Sequence, residues 1–131
     1  MPLARGIMKN CLPILAFCLL PLVCVAQSER AAERFNQRGV RLFDQGDMDG
    51  AIAEFDHVLE TVSLIGPKSP TSTTLAIIDP RAAYAYSNRG VARSLKGKLD
   101  EARADFDKAL RINPRLPEVW YNRAVVRHRL E

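Results

Sequence analysis

Beyond residue 24 the sequence holds no cysteine; its three, Cys11, Cys18 and Cys24, all fall near the start. The rest of the chain therefore offers no disulfide framework, thiolate metal site or cysteine nucleophile. Histidine is nearly as scarce. His57 and His128 are the only two, and neither sits at ligand spacing from other metal-binding residues. His57, flanked by Asp56, reads as a surface residue of a helix. No Gly-x-Ser-x-Gly elbow and no glycine-rich phosphate loop occurs. With those signatures missing, no metal and no cofactor is expected, and a secreted hydrolase ranks third among the functional readings. An excess of charge is also missing. Nineteen basic residues against 15 acidic ones give a net +4, too mild to imply nucleic acid.

No apolar run reaches the roughly 20 residues that cross a bilayer as a helix. The longest, CLPILAFCLLPLVCVA over 11–26, is interrupted by Pro13 and Pro21. Arg5 and Lys9 precede it, and it ends in Cys24-Val25-Ala26, which puts small residues at −3 and −1 of a cut after Ala26. A basic start, a short apolar run and a small-residue site describe a secretory signal peptide over 1–26. A retained membrane anchor is the alternative reading. Neither Phe17 before Cys18 nor Val23 before Cys24 is the small residue a lipidated cysteine follows. The protein is thus expected to be exported, to the bacterial periplasm first, with a secreted or membrane-anchored location as alternatives. Removing Arg5 and Lys9 leaves 17 basic against 15 acidic residues. The remaining stretch, 27–131, is enough for one small domain. Its ordinary apolar and charged content excludes wholesale disorder.

What the sequence does have is an internal repeat. RFNQRGVRLFDQGDMDGAIAEFDHVLE (34–60) matches AYSNRGVARSLKGKLDEARADFDKALR (85–111) position for position. Gly39 aligns with Gly90, Gly46 with Gly97, Ala51 with Ala102, Phe55 with Phe106 and Leu59 with Leu110. EVWYNRAVVRHRLE (118–131) begins a third copy, with Trp120 in place of Tyr86 and Ala124 in place of Gly90. Gly90 to Ala124 spans 34 residues and Gly39 to Gly90 spans 51, so the first copy carries about 17 extra. Each copy reads as two amphipathic helices. From Glu29 to about Asp44, the residues Ala32, Phe35, Gly39 and Leu42 share one helical face. Gly46 ends that helix, Asp47 or Asp49 caps the next, and Ala51, Ile52, Phe55, Val58 and Leu59 form its stripe. In the second copy Asp79 is the N-cap with Pro80 at the first helical position. Gly97 ends the helix, Asp100 is the expected cap of its successor, and Asn113-Pro114 stops it. The insertion, about 64–80, has Gly66, Pro67 and Pro70 to stop any helix. Its apolar Leu75, Ala76, Ile77 and Ile78 are expected to fold back on helix faces.

These residues resemble the tetratricopeptide repeat, a 34-residue helix–turn–helix with the pattern W-x₂-L-G-x₂-Y…A-x₃-F…P. The resemblance implies an all-α fold of antiparallel helix-turn-helix repeats stacked as a short right-handed superhelix. Repeat one covers about 32–63, repeat two 83–116, and a half repeat 117–131. It also implies a non-enzymatic scaffold whose first helices line a concave groove that receives a peptide or a partner's helix. By offset the groove residues are Asn36, Gln37 and Val40; Tyr84, Ser87, Asn88 and Val91; and Tyr121, Asn122 and Val125. Asn88 and Asn122 share one offset, and a side-chain amide both donates to and accepts from an extended backbone. A membrane-anchored or truncated subunit acting as an assembly factor is the alternative.

The departures from the pattern are arginines. Arg38, Arg89 and Arg123 replace its Leu, while Arg93 and Arg127 replace its Tyr in two copies. An acid recurs one residue before the Phe, as Glu54 and Asp105. The repeat therefore predicts the pairs Arg38–Glu54 and Arg89–Asp105. Arg123, with no second helix of its own, is expected to find its partner in solvent, another chain or a continuation. Gly90 is expected to face the paired helix near Ala102, letting two backbones approach. Two and a half repeats predict a marginal domain that leaves Trp120 or Tyr121 partly exposed and self-associates or needs a partner. A calcium-loop spacing at Asp47, Asp49, Gly50 and Asp56 is set aside, because the loop lacks an acid at its first position and the required Glu at its last.

Overall fold

Two glycines that interrupt the apolar periodicity, Gly46 and Gly97, mark two of the corners of the fold. Both adopt left-handed backbone, at φ 84° and 77°, where a side chain is strained. At the second corner the Gly97 N–H donates to the Ser94 carbonyl and the Lys98 N–H to the Arg93 carbonyl, at 3.1 and 2.9 Å. Gly46 and Asp47 repeat the pattern onto Phe43 and Leu42. This is the paired-bond stop that satisfies the last carbonyls of a helix.

The computed structural model describes residues 12–65 and 79–131, with side chains over 27–63 and 79–131. Among the described residues there are five helices and no strand: α1 (Leu12–Asp44), α2 (Met48–Ile65), α3 (Pro80–Leu95), α4 (Leu99–Ile112) and α5 (Pro117–Leu130). The signal-peptide assignment to 1–26 falls on residues whose side chains are not described. The fold-back expected of Leu75 to Ile78 lies wholly outside the described residues. The first helix starts earlier than the periodicity predicts, at Leu12 rather than Glu29. Leu22 to Arg38 contains neither glycine nor proline, so nothing in that stretch stops the helix.

Each helix packs on the one before it and the one after it. The first helices α1, α3 and α5 also touch in succession. The result is an all-α helical repeat of hairpins α1–α2 and α3–α4 followed by α5. Two apolar clusters hold it. One joins α1, α2 and α3 through Ala32, Val58, Val62, Ala82 and Ala85. The other joins α3, α4 and α5 through Ala83, Phe106, Leu110, Leu116, Val119 and Val126. Tyr86 and Ile112 pack against both.

Gly90 faces a ring, not a backbone. A Cβ placed there would stand 2.8 Å from Cε1 of the buried Phe106, and one at Gly39 would stand 2.7 Å from Cε1 of Phe55. The expectation that Gly90 lets two backbones meet near Ala102 is corrected accordingly. Fully burying a phenylalanine is worth about 1.5–3 kcal/mol. That exceeds the roughly 1 kcal/mol that glycine costs inside a helix. Ala124, at the same position of the third copy, is exposed, because no described helix lies over it.

The caps divide. Asp79 accepts from the Arg81 N–H at 2.9 Å and Asp47 accepts from the Gly50 N–H at 2.9 Å, both as the sequence predicts. The start of α4 departs from expectation. Its N-cap is Lys98, with no side-chain cap bond, and Asp100 lies within the first turn, where it favours the helix dipole instead.

Candidate functional site

The arginines that depart from the repeat pattern build a ladder of ion pairs across the stack. At its centre Asp105, 1% exposed, accepts three bonds. Arg89 donates from Nε to Oδ2 at 3.0 Å and from Nη2 to Oδ1 at 2.6 Å. Arg93, one turn on, donates from Nη1 to Oδ2 at 2.6 Å and meets Glu101 at 3.3 Å. The fork of Arg89 matches the two carboxylate oxygens, as a bidentate pair should. Its remaining Nη1 donates to Asp56 of the preceding repeat. Burial opposes the Arg89 charge, but the bonds to Asp105 and Asp56 outweigh it and raise the guanidinium pKa above its ordinary value.

In repeat one Arg38 donates from Nη1 to Glu54 Oε1 at 3.0 Å, the pair predicted. In the half repeat Arg123 donates from Nη1 to Asp107 Oδ1 at 3.0 Å. This corrects the expectation that Arg123 has no partner within the chain. The acid comes from the second helix of the preceding repeat, as Asp56 does for Arg89. The signal was in the sequence: Asp56 and Asp107 each follow the repeat's Phe directly, as regularly as Glu54 and Asp105 precede it. The three acids of the calcium-like spacing have other work. Asp47 caps α2, Asp49 pairs with Lys96, and Asp56 pairs with Arg89. Among the described residues no three metal-binding side chains converge. His57 is exposed and rests tilted against Phe35, with ring centroids 5.2 Å apart.

The residues expected in the groove are only partly open. On α1, Gln37 and Val40 are exposed, and Gln37 donates to Glu33 at 2.8 Å. On α3, Tyr84 is 48% exposed, while Asn88 and Val91 are half-buried. Ser87 is buried and offers no open surface. On α5, Tyr121 is 71% exposed, Val125 is exposed and Asn122 is half-buried. Asn36 and Tyr84 come together in a hollow of about 90 Å³ that Glu33 and Arg81 also line. The Asn36 Oδ1 is buried there with no hydrogen-bond partner in the protein.

No curated protein matches the chain. Residues 83–116, the span of α3, α4 and the turn after them, match the family model of the tetratricopeptide repeat, whose members as a class mediate protein–protein interactions.

Proposed function

We propose that the protein is an exported, non-enzymatic interaction module that binds a peptide or helix of a partner protein along its first helices. The observation that supports this most is the row of exposed apolar and aromatic side chains at groove register: Val40 on α1, Tyr84 on α3, and Tyr121 and Val125 on α5. Tyrosines left open on a rigid helical scaffold supply contact area at low entropic cost. Asn36 lines the same hollow as Tyr84 and adds an amide side chain to this face. Asn88 and Asn122 supply further amide contacts at one shared offset.

The test is site-specific photocrosslinking. A crosslinker at position 84 or 121 should capture one discrete protein from the exported fraction, and one at the exposed Glu60 of α2 should not. Tyr84→Ala with Tyr121→Ala should abolish capture while leaving the helical circular dichroism intact. Capture that is equal from both faces would overturn the reading. Export itself rests on the composition of residues 1–26. The mass of the chain recovered from the exported and membrane fractions decides between a cut after Ala26 and a retained anchor.

A further inference from the structure

Building on the groove described above, we propose that its occupant is a basic amphipathic helix. Cations on one flank of that helix meet Glu33, Tyr84 and Glu118, and apolar side chains on the next flank meet a row of valines.

The repeat register sorts the open face of the first helices into rows. Glu33, Tyr84 and Glu118 share one position, and all three are exposed. Two carboxylates thus flank a tyrosine ring. Seven residues further on, Val40, Val91 and Val125 share another position, with Val40 and Val125 each 39% exposed. The far end carries Asp44 and Arg129, opposite in sign, with Leu95 at the same register and 61% exposed. One edge of the groove is therefore acidic and aromatic, and the rest is apolar. At 1.5 Å per residue the first two rows stand about 10 Å apart, which is the width of a helix with its side chains. A helix laid across α1, α3 and α5 reaches both.

The acidity is local, since the chain as a whole carries a net +4. Its arginines are bound or turned elsewhere. Arg89, Arg93 and Arg123 hold the acids of the ladder. Arg30, Arg34 and Arg38 gather around Phe35 on another face of α1. Arg81 does share a hollow of about 90 Å³ with Glu33 and Tyr84. It donates three side-chain bonds to Asp79 and meets Glu29 at 3.6 Å, so two carboxylates offset its charge. Glu33 is left with the neutral amide of Gln37, and among the described residues no cation pairs with Glu33 or Glu118. A lysine or arginine head entering this edge gains a carboxylate and a ring face together. An acidic segment would set its charges against Glu33 and Glu118 and meet only Arg129, at the other end.

The test uses two labelled synthetic amphipathic peptides of equal length. One is built of Lys, Leu and Ala; the other has each Lys replaced by Glu. Fluorescence anisotropy with the full chain should show the Lys peptide binding at least about tenfold tighter. That preference should shrink as salt is raised. Glu33→Lys with Glu118→Lys, both at exposed sites, should reverse it while the helical circular dichroism stays unchanged. A crosslinker at position 84 should capture the Lys peptide, and one at Glu60 should not. Equal or tighter binding of the Glu peptide, or a preference that survives the charge reversal, overturns the basic partner, while capture at position 84 keeps the groove itself. Capture of neither peptide at position 84 or 121 overturns the groove and the basic partner together.

Discussion

Repeats one and two carry the same arginine, an acid sixteen residues later (Glu54 and Asp105) and the same phenylalanine, yet their ion pairs differ in kind. Arg38 is 59% exposed and makes one bond to Glu54, whose second oxygen is buried without a partner. Arg89 is 11% exposed and divides its bonds between Asp105 and Asp56. The shared arginine and acid do not set the strength of the pair; its place in the stack and the residues around it do. Repeat two has a repeat before it to supply Asp56, an Arg93 to share Asp105, and α5 beyond α4. Repeat one has α3 beyond α2, but among the described residues no second helix precedes it, and Leu42 stands for Arg93. Screening and side-chain entropy hold an exposed pair to about 0–1 kcal/mol. A buried carboxylate with two arginines belongs to another regime, where loss of one member strands the others.

The largest effect should come from breaking that asymmetry directly. Asp105→Ala strands Arg89 and Arg93 and should cost about 3–5 kcal/mol in urea unfolding. Glu54→Ala should cost no more than about 1 kcal/mol. Equal losses would mean that position in the stack does not matter. Glycine should erase the difference instead. Gly39→Ala and Gly90→Ala both press a methyl into a buried ring and should each cost about 1–3 kcal/mol. Ala124→Gly, with nothing above it, should cost only the helix-propensity term of about 1 kcal/mol.

The caps offer a finer contrast. Asp79→Ala should cost about 1 kcal/mol at neutral pH. Burial pushes the Asp79 carboxyl up, but the bonds from the Arg81 side chain and N–H, with its charge, outweigh that and hold it below the ordinary value of 3.8. The folded pKa thus lies below the unfolded one. The contribution is complete above pH 3.8 and fades as pH falls through the lower, folded value. The stability gap between the native chain and Asp79→Ala should narrow below pH 3.8 and not above it. The smallest effect is a gain. Lys98→Asp gives α4 the side-chain cap that Asp47 gives α2, and should add about 0.5–1 kcal/mol to the melting stability of repeat two.

The helices and corners were legible because their causes are local. Left-handed glycines, Asp79 before Pro80, and Asn113 before Pro114 each act within a few residues. The Arg38–Glu54 and Arg89–Asp105 pairs were legible because two offsets recurred together. Four things were not. Lys98 at the cap of α4 breaks the rule that Asp47 obeys, and its neighbour Asp100 is a plausible decoy. The ring over Gly90 required knowing which atoms of Phe106 reach across. The Asp56–Arg89 and Asp107–Arg123 bonds cross between repeats, and the insertion before α3 makes their sequence separations unequal. Ser87 reads as groove by offset, and only its burial in the folded structure shows it closed.

The acids on either side of the repeat phenylalanine point in opposite directions along the stack. Asp105 ties α4 to its own repeat, while Asp56 and Asp107 tie a repeat to its successor. Losing either repeat therefore uncovers a charge in the other. In a one-dimensional array, melting is set by how interface terms compare with the stability of each unit. Links of this kind weight the interfaces, so the hairpins should melt as one cooperative unit, with no half-melted array accumulating in between.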